Sequence, residues 1–165
     1  RGILVLVKKS SGCTLTNVQS HHNNDILSFN IVLPDLTVIN VTAVYAPTDD
    51  LPGFWDRVQE ISNTGNHDHK LIVGDYNVTL DHEMDSYGYK TDPHPKSRKV
   101  INGWLEQESL IDSYRYFHDQ TRSYTYRTSN CHLKSRLDYC LMSPCIIPFV
   151  KDVTHMANNY INTDH

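Results

Sequence analysis

The chain opens on an unbroken apolar run, Ile3-Leu4-Val5-Leu6-Val7, the pattern of a strand buried on both faces. Lys8-Lys9-Ser10-Ser11-Gly12 ends it with turn residues. A second strand is predicted over residues 26–33. A third follows over 37–45, where Val38, Ile39, Val41, Thr42 and Val44 are β-branched. The Pro34-Asp35 turn between them makes an antiparallel hairpin. Ala46-Pro47 stops the third strand. Asp49-Asp50 is placed to cap a helix whose Phe54, Val58 and Ile61 fall at helical spacing, with Gly65 at its exit.

Leu71-Ile72-Val73 is a short buried strand. Residues 79–95 carry polar and turn residues with no period and read as a loop. Ser97 is placed as the cap of a second helix, with Val100, Ile101, Trp104 and Leu105 on one face. Leu110-Ile111-Asp112 begins a further helical or turn segment, and residues 124–127, 137–142 and 149–153 supply the last strands. Interleaved helices and strands with a hairpin among them argue against an all-parallel sheet. They predict two sheets with helices packed outside, in a single domain over 1–165.

Composition narrows the class. The 165 residues are 39% hydrophobic and 21% charged, the balance of an ordinary globular domain. No apolar run approaches the roughly 20 residues a membrane helix needs, so no membrane partner is expected. Cys13, Cys131, Cys140 and Cys145 form no C-x-x-C pair and read as free thiols in a reducing, intracellular compartment. The net charge of −4 does not advertise nucleic-acid binding. An enzyme that holds a metal through carboxylates can nonetheless be acidic overall and bind DNA through a local basic rim. The chain starts at Arg1 with neither an initiator methionine nor a signal peptide, and is expected to be an internal piece of a longer protein.

Four short motifs carry chemistry. Gly74-Asp75-Tyr76-Asn77 follows a buried strand, where alternate side chains share a direction, so Asp75 and Asn77 are expected to converge. A carboxylate beside an amide suits a phosphate site: one activates water, the other donates to a phosphate oxygen. By itself the pair is more often a plain Asp/Asn turn after a strand. Ser135-Arg136-Leu137-Asp138-Tyr139 sets Asp138 in an otherwise apolar strand, where a carboxylate must face solvent or be paired. Asp164-His165 gains meaning only from a partner, and Asp138 could orient that histidine. Val44-Tyr45-Ala46-Pro47 fixes a tyrosine at a strand end, where its hydroxyl can reach a phosphate or simply pack. His21-His22 and His67-x-His69 lack a Cys or carboxylate at zinc spacing and read as structural.

The order of these motifs along the chain resembles the endonuclease/exonuclease/phosphatase superfamily. Arg136-Leu137-Asp138-Tyr139 is similar to both the abasic-site endonucleases and the endonuclease domain of LINE-type retrotransposons. Residues 110–118, Ser123-Tyr124-Thr125-Tyr126 and the ending 159–165 look more like the retrotransposon branch. The resemblance implies a DNase I-like α/β (α+β) fold, a four-layer sandwich of two mainly antiparallel sheets flanked by helices. It also implies divalent-metal-dependent phosphodiester hydrolysis with Mg²⁺ or Mn²⁺, DNA as partner, a polyprotein with a reverse transcriptase, and action in the nucleus.

The family's roles fall on Asp75 as the acid that activates water and Asn77 as the amide holding water and phosphate. His165 would contact the scissile phosphate, oriented by Asp138. Tyr45 would stand on the phosphate side and Asp164 near the metal. Asn77, Thr125, Thr163 and Arg136 would contact substrate. Thr163 stands where Ser is usual. The family's metal-binding Glu would lie on a strand before Arg1 and another strand would follow His165, so part of both sheets and the principal metal ligand are expected to lie outside this chain. Alternatives kept open are an abasic-site repair endonuclease, a phosphatase of the same fold, and an inactive fragment with at most weak nucleic-acid binding.

Overall fold

The computed structural model describes residues 2–65, 68–156 and 164–165. Three strands lead the fold: β1 (Thr14–His21), β2 (Ile26–Val32) and β3 (Val38–Tyr45), each antiparallel to the next. The β2–β3 hairpin is the one the β-branched pattern predicts. β1 was not predicted, because its residues are mostly polar and exposed and its register breaks between Thr16 and Gln19. The apolar run at 3–7 forms no strand. Leu4 and Leu6 are 80% and 84% exposed, while Ile3 and Val5 pack on the sheet face. A strand needs a backbone neighbour as well as apolar side chains, and this run meets the sheet through its side chains alone.

After β3 come α1 (Pro52–Ser62) and β4 (Lys70–Asp75), then α2 (His82–Asp85), β5 (Ser86–Tyr87) and α3 (Pro95–Glu108). The expected loop at 79–95 thus contains a helical turn and a short strand. Asp81 starts that turn by accepting the Glu83 and Met84 amides. The remaining elements are β6 (Ile111–Asp112), α4 (Ser113–Phe117), β7 (Tyr126–Arg127), β8 (Lys134–Ser135) and β9 (Asp138–Met142). The strand expected at 149–153 is absent. A 3₁₀ helix covers Pro144–Phe149, and residues 150–153 have no regular secondary structure.

The strands form two sheets, β1-β2-β3-β4-β9-β6 and β5-β8-β7, as expected for an α+β fold with mainly antiparallel pairing. Only β3–β4 is parallel. On one face of the large sheet, Phe54, Trp55, Val58 and Ile61 of α1 and Ile101 and Trp104 of α3 cover Ile26, Val44, Ile72 and Leu141. The other face carries Phe29, Val41 and Ala43 among Leu27, Ile39, Leu71 and Val73. All four cysteines are unbridged. No helix among the described residues is long and apolar enough to cross a membrane.

Two helix caps differ from expectation. Asp50 does not cap α1; its carboxylate accepts the Lys96 and Ser97 amides at 3.2 and 2.8 Å and so caps α3 across the fold. Ser97 is buried within the first turn of α3 and makes no cap. A carboxylate at the start of a 14-residue helix favours the dipole and satisfies two amides that have no partner within the helix.

The two sheets are joined through Arg136, which lies between β8 and β9 and is 1% exposed. Its Nε and Nη2 donate to both Asp85 oxygens at 2.9 Å. Its Nη1 and Nη2 donate to Asp112 at 3.0 and 2.6 Å. Arg115 Nη2 adds a bond to Asp85 at 2.6 Å. Two arginines thereby neutralise two aspartates, one of them fully buried. Burial opposes the charge on Arg136, but its hydrogen bonds to Asp112 and Asp85 outweigh burial and raise its pKa.

Removing one partner of a buried pair strands the other's charge. Arg136→Met is therefore expected to cost about 3–5 kcal/mol in urea-unfolding measurements. Arg57→Met, which breaks an exposed pair with Glu60, is expected to cost about 0.5 kcal/mol or less. Equal losses for the two would refute the structural weight given to Arg136.

Candidate active site

Three strand ends meet at one edge of the large sheet. β3 and β4 run parallel, so their carboxyl ends coincide and Tyr45 pairs with Asp75. β9 runs antiparallel to β4, so its first residue, Asp138, also pairs with Asp75. Residues paired in register project to the same face. Tyr45, Asp75 and Asp138 therefore stand in a row, with neighbouring Cβ atoms roughly 4.5–5.5 Å apart.

Gly74 makes the approach of β4 to β3 possible. It adopts φ +132°, and a Cβ there would lie 2.0 Å from the Val44 carbonyl oxygen. Beyond Asp75 the chain leaves the sheet. Asn77 takes a left-handed φ of 50° and its amide donates to Asp75 Oδ1 at 2.9 Å. Its Nδ2 donates to the Ala46 carbonyl at 2.8 Å and reaches Asp75 Oδ2 at 3.3 Å. Asp75 and Asn77 do converge, but through a turn closed by the aspartate rather than through strand alternation. Tyr76 between them is fully buried and donates to the Ile72 carbonyl, which anchors the turn.

His165 sits against two carboxylates. Its Nδ1 is hydrogen-bonded to Asp138 Oδ2 at 2.7 Å, and its Nε2 lies 3.8 Å from Asp75 Oδ2. The hydrogen bond to Asp138 raises the His165 pKa; burial opposes this, and the charges of Asp138, Asp75 and Asp164 add to it. The Asp138 contact aims Nε2 at Asp75, so an imidazolium there presents an N–H to any anion between them.

The other expected site residues divide. Tyr45 and Asp164 line the same cleft of about 670 Å³ as Asp75, Asn77, Asp138 and His165. Thr125 is engaged by the backbone: its hydroxyl accepts the Leu137 and Asp138 amides at 3.0 and 3.1 Å and so fixes the start of β9. Arg136 is corrected. Its guanidinium is saturated by Asp85 and Asp112 and sealed from solvent, so it cannot contact substrate. Thr163 and His67 lie outside the described residues. His21 is hydrogen-bonded to Ser28 within the β1–β2 pair. Among the described residues, no group of three or more His, Cys, Asp or Glu side chains is arranged to hold a metal ion.

The cleft also contains residues that the sequence reading passed over: Thr48, His82, Ser86, Tyr89, His94 and Tyr126. His94 reaches the Thr48 carbonyl at 2.8 Å, and the Ser135 hydroxyl donates to Tyr89 at 3.0 Å. Most fall in the stretch that looks like a structureless loop, where no local pattern marks them. Among the described lining residues there is no Lys or Arg, while three aspartates are present.

Two measurements test this geometry. Gly74→Ala is expected to lower stability by about 2–3 kcal/mol, read by urea unfolding, since both its φ and its contact with Val44 forbid a side chain. The His165 imidazole is expected to titrate above its ordinary 6.5 by NMR, and to fall towards that value in Asp138→Asn. The sign follows from linkage: the His165 contribution to stability is fully present below about 6.5 and is lost as pH rises through the raised value. An unchanged midpoint in Asp138→Asn would contradict the pairing.

No family model matches the sequence. Solved structures that share the fold include the AP endonuclease LMAP from Leishmania major, with a TM-score of 0.62 and 17% identity over 78% of this chain and 49% of that one. They also include the 3′ phosphatase NExo from Neisseria bound to a product DNA hairpin, with a TM-score of 0.58 and 16% identity over 82% of this chain and 61% of that one. This chain thus spans about half the length of LMAP and three-fifths that of NExo. What these likenesses establish is the architecture: the chain has the DNase I-like fold of the endonuclease/exonuclease/phosphatase proteins.

Proposed function

We propose that this chain carries the water-activating and phosphate-binding part of a phosphodiesterase site that nicks DNA, and that it comes from the endonuclease domain of a LINE-type retrotransposon polyprotein acting in the nucleus. The observation that carries the hydrolytic reading is the convergence of Asp75, Asn77 and an Asp138-held His165 at one sheet edge. Residues 110–118, Ser123-Tyr124-Thr125-Tyr126 and the ending 159–165, which resemble the retrotransposon branch, favour it over the abasic-site branch. That LMAP is an AP endonuclease and that NExo binds a DNA hairpin support a DNA substrate for this fold.

In this reading Asp75, oriented by the Asn77 amide, takes a proton from water as it attacks phosphorus. His165 donates Nε2–H to a non-bridging oxygen and stabilises the charge that grows there. Asp138 holds the ring and balances the imidazolium. Tyr45 and Asn77 flank the phosphate. The P–O3′ bond breaks as water adds, and the departing 3′ oxygen takes up a proton from solvent, so the products are a strand with a free 3′ hydroxyl and one with a 5′ phosphate. The resemblance implies Mg²⁺ or Mn²⁺ as cofactor, which when bound supplies electrophilic stabilisation of the phosphate. Asp164 offers one carboxylate to it, and the described residues do not complete a ligand set.

The test is supercoiled-plasmid nicking with Mg²⁺ by the longer protein that contains this chain. Asp75→Ala and His165→Ala are each expected to lower kcat by about 10²–10⁴-fold, and a chelator to stop the reaction. Undiminished nicking by either variant removes that residue from the mechanism. DNA retention without any nicking by the unmodified protein would favour a binding module instead.

A further inference from the structure

The small sheet forms part of the cleft. Ser86, Ser135 and Tyr126 stand in register across β5, β8 and β7, and all three line the cleft. Paired residues share a face, so the three make one row, roughly 10 Å long over two strand spacings. At one end the Tyr126 ring lies 5.4 Å from that of His165. At the other, Ser86 is bonded to His82. Beyond β5 the chain turns back at Gly88, with φ +85°, where a Cβ would lie 2.1 Å from the His132 carbonyl oxygen. The turn returns Tyr89 to the middle of the row, where its hydroxyl accepts the Ser135 proton at 3.0 Å. Ser135 is buried, so this bond satisfies its donor. Among the described residues the Tyr89 proton then has no acceptor.

We propose that this wall is a base subsite. The base of a nucleotide next to the scissile phosphate lies against Tyr89 and His82, and Tyr89, set by Ser135, donates its O–H to an acceptor on the base edge. Tyr89 is then a specificity-determining residue. The proposal rests on the reading that the cleft hydrolyses a phosphodiester.

Three observations favour a base over a second phosphate. The aspartates of the cleft are Asp75, Asp138 and Asp164, whereas this wall presents the rings of His82, Tyr89, Pro93 and His94 with no carboxylate, Lys or Arg among them. The nearby Arg98 is committed to Asp92 and to Thr79. A phosphate there would lack a counter-charge, while a base brings a flat apolar face to the rings. Secondly, the wall offers an acceptor beside its donor. Ser86 gives its hydroxyl proton to the His82 carbonyl at 2.6 Å, so its oxygen accepts His82 Nδ1–H at 3.2 Å. The neutral ring therefore carries an unprotonated Nε2, and burial followed by the charge of Arg98 holds the His82 pKa below its ordinary 6.5. A donor next to an acceptor is what the edge of a base presents in return. Thirdly, the His82 and Tyr89 rings meet edge-on with centroids 6.4 Å apart, which keeps the two groups side by side.

The test maps nick positions on a plasmid of mixed sequence, using the longer protein that contains this chain. Tyr89→Phe keeps the ring and removes the donor. It is expected to lower the rate about three- to tenfold at preferred sites while sparing disfavoured ones, flattening the preference at one position beside the nick. Ser135→Ala is expected to flatten the same position less. Tyr87→Phe, whose ring lies under Lys134 outside the cleft, is expected to leave the profile as it was. An unchanged profile in Tyr89→Phe or Ser135→Ala would overturn the proposal. So would an equal loss of rate at every site, or the same flattening in Tyr87→Phe. If the unmodified protein nicks nothing, the functional reading fails by itself. The subsite is then decided by titrating in each of the four deoxynucleoside 5′-monophosphates and following the Tyr89 and His82 ring resonances by NMR. Shifts that are lost in Tyr89→Phe support it, and the absence of shifts overturns it.

Discussion

A guanidinium sealed from water must find its charge and hydrogen bonds inside the protein, and Arg136 finds both in Asp85 and Asp112. Meeting that demand reinforces, through side chains, the β5–β8 and β6–β9 pairings that bring these parts of the chain together. Asp85 ends the short α2, Asp112 precedes α4, and Arg136 passes from the small sheet to the large one. Tyr139 continues the arrangement: its hydroxyl donates to the Arg136 carbonyl at 2.7 Å and accepts the Leu80 amide at 2.9 Å. Five consecutive residues, 135–139, thus alternate between pairing in the small sheet, sealing the core and presenting Asp138 to the cleft.

The site inherits its geometry from this frame. Asp75 and Asp138 oppose each other across β4 and β9, an arrangement that repels when nothing lies between. His165 relieves it by placing a ring against both carboxylates. Each carboxylate is also oriented from behind: Asn77 holds Asp75, and Thr125 fixes the backbone that carries Asp138. A cleft whose described lining holds three aspartates and no Lys or Arg is poorly suited to a phosphate unless positive charge is brought into it by His165 or by a cation.

The sheet topology explains why residues 30 to 90 positions apart meet. Parallel pairing of β3 with β4 aligns two carboxyl ends, and antiparallel return of β9 brings an amino end to the same edge. The helices α1 and α3 cover one face of the large sheet, while Tyr45, Asp75 and Asp138 continue the rows of side chains on the other. Asp50 fastens α3 to the segment that follows β3, and His94 reaches Thr48 beside it, so one wall of the cleft is set by a helix cap made across the fold.

Much of this was legible in the residues alone. β-branched runs around Pro34-Asp35 specify the β2–β3 hairpin, and the apolar spacing of 54–61 and 100–105 specifies two helices, because those periods are local properties of the chain. The motifs also named Asp75, Asn77, Asp138 and His165, because their order along the chain, and not any one of them alone, resembles a known superfamily. What the residues could not decide was partnership. The apolar run at 3–7 has the composition of a strand but packs on the sheet face, whereas polar β1 pairs into the sheet beside β2. Asp50 looks like the cap of the nearest helix and caps a distant one; Arg136 looks like a substrate contact and is the buried counter-charge of two aspartates. Composition and period act over a few residues, but a hydrogen bond or an ion pair goes to whichever partner the tertiary fold leaves within reach.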